Sequence, residues 1–167
     1  HTIEVIPEIY DKNKINFSYL KDVNWHLGTS FDILPEILPD LKGTTLFWMD
    51  AHFPGADFGL SSYGDEKDDD KRLPLKKELE TIVENRDVTN DVFVIDDLRI
   101  YEDGPFGDGN WEDREKYGGD GIEFIEELFD ETHYVVKSYN AQGSILLFPV
   151  SKDIENEAGN LVVGAVE

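Results

Sequence analysis

The chain has 167 residues, no cysteine, and 15 basic against 37 acidic side chains, a formal charge of −22. A field of that sign repels phosphate backbones and anionic headgroups, so nucleic acids and membrane surfaces are excluded as expected partners. With 40% hydrophobic and 12% aromatic residues the chain is no disordered acidic tail, and the lack of cysteine suits a reducing, cytoplasmic location.

Residues 2–6, TIEVI, read as a short strand, and Pro7 stands where a helix starts without losing a hydrogen bond. A helix is expected over 7–20 and a second strand over 23–27, closed by Gly28. Ser30 is expected to cap a helix over 31–41 that Pro35 breaks or restarts. The run TTLFWM at 44–49 has the near-continuous apolar pattern of a parallel strand buried on both faces, which puts Phe47 and Trp48 in the core. It leads into Asp50-Ala51-His52. Residues 53–73 form a Gly-, Ser- and Asp-rich loop, long enough for a lid or an insertion. Its acidic run at 65–70 lacks the spacing of a calcium loop and reads as solvated.

Pro74 opens a helix with Leu75, Leu79, Ile82 and Val83 along one face, and DVFVI at 91–95 is another buried-type strand ending in Asp96-Asp97. In the Gly-rich stretch 98–119, Trp111 either faces a substrate or packs the loop. Asp120 and Glu123 resemble a capping box for a helix to residue 130. Residues 132–138 and 144–150 read as a hairpin across NAQG, and 161–166 as a weaker last strand. The alternation predicts an α/β fold, mostly parallel with an antiparallel end, in a main domain over 1–150 and an extension over 151–167.

Acids recur at the carboxyl ends of the expected parallel strands, the edge where open α/β sheets bind ligands. Asp50, Asp96 and Asp97 could converge on a hard divalent cation, with Mg the first expectation. Asp50 and His52 are candidates for taking a proton from a bound hydroxyl. Glu4 ends its strand as an acid that accepts from ribose hydroxyls does. Each acid alone has a structural alternative, since Asp commonly ends strands and closes turns. His26 and His133 fall inside strands; His26 reads as structural, and His133 shows no partner.

These segments together resemble a known family. HTIEVIPEIY resembles motif II of class I S-adenosylmethionine-dependent methyltransferases, with Glu4 at the ribose-binding acid and Ile6 where Asp or Asn is frequent. VNWHLGTSFDILPEIL is similar to the third strand and its following turn, which implies cofactor contacts from Gly28, Thr29 and Ser30; Thr29 replaces an acidic residue there. TTLFWMDAHFPG resembles the motif IV strand with its acid at Asp50, and the spacing to Asp96-Asp97 is similar to metal-dependent O-methyltransferases, including those acting on macrolide sugars. The resemblance covers residues 1–150 and rests on the order of the segments. It implies a Rossmann-like three-layer sandwich of strand order 3-2-1-4-5-7-6 whose first strand and Gly-rich loop would precede Thr2. The chain is therefore expected to be N-terminally incomplete, or to fill the central position with 161–166.

The implied activity is methyl transfer from S-adenosylmethionine to an oxygen of a small polar or sugar-like acceptor. Asp50 and His52 would be catalytic, and Asp50, Asp96 and Asp97 would hold the metal. Two rivals stand beside it. One is a non-catalytic Rossmann-like binding or assembly module, expected to form a homo-oligomer over the sheet gap. The other is a metal-dependent hydroxylase or hydrolase on a related scaffold.

Overall fold

Short strands and helices alternate through residues 1–56 and 58–150, the part of the chain that the computed structural model describes. The extension over 151–167 and the strand expected at 161–166 lie outside the described residues. β1 (Thr2–Glu4) leads into α1 (Pro7–Asn16), which begins at Pro7 as expected and stops short of residue 20. The reason lies in its pattern: Ile9 is buried while Ile15 is exposed, so no apolar stripe carries the helix further. β2 (Trp25–Leu27) pairs with β1 in parallel, Thr2 beside Trp25 and Glu4 beside Leu27.

α2 (Ser30–Ile37) contains Pro35 and passes into a 3-10 turn at Leu38–Asp40. Ser30 is not its cap. Thr29 occupies the cap position in extended backbone, and its hydroxyl donates to the Asp32 carboxylate at 2.5 Å rather than serving the helix N–H groups. Ser30 thereby becomes the first helical residue.

The second sheet has four strands in the order β3-β4-β6-β5, comprising β3 (Leu46–Met49), β4 (Val92–Asp96), β5 (His133–Ser138) and β6 (Ser144–Pro149). β3 and β4 are parallel; β6 runs antiparallel to both of its neighbours. The hairpin between β5 and β6 closes at Gly143, whose φ of +82° suits glycine and whose missing Cβ leaves room for Phe106. α3 (Asp69–Arg72) and α4 (Leu75–Asn85) lie between β3 and β4, and α5 (Arg114–Tyr117) and α6 (Glu123–Phe129) between β4 and β5. The capping box expected at Asp120 and Glu123 does not form. Ile122 takes the cap position of α6 without a side-chain bond, and the helix starts at Glu123 itself.

One face of this sheet builds the core. Phe47 and Met49, Phe93 and Ile95, Ile145 and Leu147 alternate inward and share a buried cluster with Leu79, Ile82, Ile125 and Phe129. Each such side chain contributes about 1.5–3 kcal/mol by burial. On the other face Trp48, Val94, Leu146 and Val136 stand in register across the four strands, flanked by Leu46, Phe148 and Tyr134. The expectation that β3 is buried on both sides is corrected here: Leu46 is 62% and Trp48 61% exposed, because no described residue covers them.

An ion pair locks the approach to β3 and β4. The Arg86 guanidinium donates to both Asp91 oxygens at 2.6 and 3.0 Å and to the carbonyls of Leu41 and Gly43, while Asp91 accepts the Thr45 N–H. His133, buried, donates from Nε2 to the Asp91 carbonyl at 2.9 Å, and burial lowers its pKa, so the neutral ring is a core hydrogen-bonding group. Its partner is a carbonyl far from it in sequence, which explains why the strand pattern alone shows none.

Candidate functional site

β3 and β4 run parallel with Met49 beside Ile95, so the chain leaves both strands at the same edge. That register carries Asp50 and His52 to Asp97. His52 donates from Nε2 to Asp97 Oδ2 at 2.8 Å and lies 3.7 Å from Asp50 Oδ1. One ligand atom from each of the three residues falls within 4.8 Å of the others. Asp96, expected as a ligand, stands outside this cluster and accepts the backbone N–H of Asp97 at 2.9 Å.

The backbone is bent to make the cluster. Asp97 sits at φ 54°, ψ 48°, in the left-handed region, and Phe53, directly after His52, has a φ of 40°. Non-glycine residues pay for that conformation and adopt it chiefly where surrounding bonds impose it. Around Asp97 those bonds are the N–H groups of Leu98 and Arg99 on the carbonyls of Gly143 and Gln142. Burial raises the Asp50 carboxyl above its usual range, aided by Asp96 and Asp97 and opposed by His52 and a Trp48 hydrogen bond. Two carboxylates and an imidazole compose a donor set for a divalent cation.

Beside the cluster lies a cleft of about 700 Å³ between the two sheets. Thr45–His52 form one wall; residues 2–5 and 28–31 form the other. The structure thus sets Glu4, Gly28, Thr29 and Ser30 along one cleft with Asp50 and His52. Glu4 Oε1 accepts the Ile6 N–H at 2.7 Å and shapes the turn into α1. Gly28 has a φ of +155°, and a Cβ there would lie 3.1 Å from Ile33 Cγ1, so the turn is closely fitted to α2. Trp48, expected in the core, lines this cleft. Trp111 packs against Phe53 and Tyr63 at ring distances of 5.4 and 5.3 Å, a loop-packing role. His26 stacks on His1.

One cleft residue escaped the sequence reading. Glu78, in the first turn of α4, is 2% exposed, and burial pushes its carboxyl up to about 7, with Ser30 and His52 pulling it down. The signal was present: Glu78 lies three residues after Leu75 and four before Ile82, on the apolar stripe of α4, where an acid is out of place. No family model, curated protein or solved structure matches this chain.

Proposed function

We propose that this chain carries the centre of a metal-assisted, S-adenosylmethionine-dependent O-methyltransferase acting on a small polar, sugar-like acceptor. The observation that carries the reading is the gathering of Asp50, His52 and Asp97 where β3 and β4 end, with Asp50 and His52 on a cleft shared with Glu4 and Gly28–Ser30. Strand order supports it. In the family's numbering β2-β1 and β3-β4-β6-β5 are 3-2 and 4-5-7-6, and the cleft lies at the remaining central position. On this reading the two sheets are flanks of one Rossmann-like sandwich.

The residues present fit the metal and the ribose and adenine side of the cofactor. Asp50, His52 and Asp97 offer three donors to a divalent cation, which would supply a positive charge beside the acceptor oxygen. Glu4 would take the ribose hydroxyls, and Gly28, Thr29 and Ser30 would border the adenine side. S-adenosylmethionine, when bound, supplies an electrophilic methyl group. The acceptor's hydroxyl proton would pass to Asp50, through the carboxylate oxygen left off the cation, or to His52 where it is not itself a ligand.

Calorimetric titration of S-adenosylhomocysteine, with and without Mg²⁺ or Mn²⁺, tests the reading. Saturable binding is expected, and Asp97→Asn should weaken metal binding by about tenfold or more, as loss of a charged ligand does. Absence of binding heat with either metal overturns the cofactor assignment. A second reading, a metal-dependent hydrolase or hydroxylase, is favoured by the imidazole in the donor set, which suits Zn or Fe better than Mg. Product mass separates the two, since only methyl transfer adds a carbon to the acceptor.

A further inference from the structure

Residues 12–21, KNKINFSYLK, hold three lysines and no acid in a chain that is otherwise rich in acids. They run from the middle of α1 into the turn behind it. Ile15 is 73% and Tyr19 67% exposed, with Phe17 and Leu20 exposed beside them. The Phe17 and Tyr19 rings lie 6.2 Å apart, and the N–H groups of Ser18 and Leu20 donate to the carbonyls of Ile15 and Phe17, so the turn is held in place. Lys12, Lys14 and Lys21 are exposed, and among the described residues none of them has an ion-pair partner. An apolar cluster rimmed by charge is the build of an interaction surface.

Its complement is on the chain itself. α6 buries Ile125 and Phe129 in the core, leaves Phe124 and Leu128 half-buried four residues apart on one face, and exposes Glu123, Glu127 and, just past its end, Glu131. Among the described residues these three acids also have no ion-pair partner. Within one chain the cluster at 15–20 is uncovered, so the two surfaces meet only between copies. We infer that the surface at 12–21 docks α6 of a second copy of this chain. Ile15, Phe17, Tyr19 and Leu20 then cover Phe124 and Leu128, while Lys12, Lys14 and Lys21 pair with Glu123, Glu127 and Glu131.

The net charge of −22 does not forbid this contact. Salt at physiological strength screens exposed charges beyond about 8 Å, so the charges at the patch decide, and there they are opposite. An anionic bilayer also takes lysines with aromatic side chains, but its continuous negative plane would meet the exposed Asp11 and Asp22 that flank the patch. The contact uses no residue of the cleft and stands or falls apart from the methyl-transfer reading.

Sedimentation velocity of the full chain from about 5 to about 500 µM, a range that reaches weak interfaces, is the test. The sedimentation coefficient should rise with concentration. One variant reverses the lysines (Lys12→Glu, Lys14→Glu, Lys21→Glu) and another the acids (Glu123→Lys, Glu127→Lys, Glu131→Lys). Each alone should associate about tenfold more weakly or less, because like charges then face each other. Their equimolar mixture should recover, since the intact lysines of one meet the intact acids of the other, and recovery also shows that both fold. Phe17→Ser with Tyr19→Ser should weaken association by about tenfold as well.

A mixture no more associated than its components, or association that ignores both reversals, overturns the inference. So does a chain that stays monomeric throughout; if that monomer binds phosphatidylserine vesicles and the lysine reversal releases it, the patch belongs to a lipid surface. If a reversed variant does not fold, the comparison of wild type with the Phe17 and Tyr19 double variant decides.

Discussion

Asp97 holds both a strained backbone and a charge, and the two are separable. Asn tolerates the left-handed region nearly as well as Asp, so Asp97→Asn should leave the melting temperature close to wild type while metal binding falls. Asp97→Ala loses the side-chain bond to His52 as well and meets the positive φ without a polar group to help. It should lower stability by about 1 kcal/mol or more in thermal melts, and equal melts for Ala and Asn would remove the backbone argument.

Glu78 makes a pH prediction. Its folded-state value of about 7 lies above its ordinary value of 4.5, so the protein holds this proton more tightly when folded. The contribution is complete below about 4.5 and is lost as pH rises through about 7. In the metal-free protein, Glu78→Gln should therefore gain stability relative to wild type between pH 5 and pH 8, by about 3 kcal/mol at most. Melting curves that stay parallel across that range would contradict the assignment. Of the acids in the site, Asp50 and Asp97 are readable from sequence because each follows an apolar strand. Glu78 hides inside a helical stripe, where the surrounding leucines dominate the pattern.

Among elements, the Arg86–Asp91 pair ties the C-terminal end of α4 to the segments entering β3 and β4. Asp91 is nearly inaccessible to solvent, and removing its partner strands a buried charge. Arg86→Ala should cost about 3–5 kcal/mol in denaturant unfolding, and a loss below about 1 kcal/mol would mean the pair is as weak as an exposed one. The strands, the helix beginning at Pro7 and the terminal hairpin follow the apolar periodicity and turn chemistry closely. The caps do not. Ser30 and Asp120 have suitable side chains, but Thr29 and Ile122 take the cap positions, because helix starts are adjusted by the packing of α2 and α6 against their neighbours. A difference of one or two residues at a helix end turns a cap into a first-turn residue. For Ser30 the shift has a consequence, since it now stands with Glu78 in the cleft.

Over the whole molecule, charge and apolar surface are distributed unevenly. Residues 102–131 hold 12 acidic and 2 basic side chains, and apart from the half-buried Glu102 these acids are exposed. The four-stranded sheet meanwhile leaves Leu46, Trp48, Tyr134, Val136 and Phe148 exposed on one face. An apolar patch spanning four strands should bind a hydrophobic fluorescent dye in the native state. Trp48→Ser with Tyr134→Ser should reduce that fluorescence without lowering the melting temperature, and an unchanged signal would place the dye elsewhere. Among the described residues no helix is long and apolar enough to cross a membrane.

What the sequence by itself determined is local: the α/β alternation, the apolar runs, the hairpin, and acids waiting at strand ends. Side-chain periodicity and turn preferences act over a few neighbouring residues, so they are written in short windows. Only the tertiary structure decided which acids meet. The parallel register of β3 and β4 brings His52 to Asp97 while Asp96 turns to its neighbour's N–H, and the packing of α4 carries Glu78 into the cleft. Those are relations between segments far apart in the chain, and no window of sequence contains both partners.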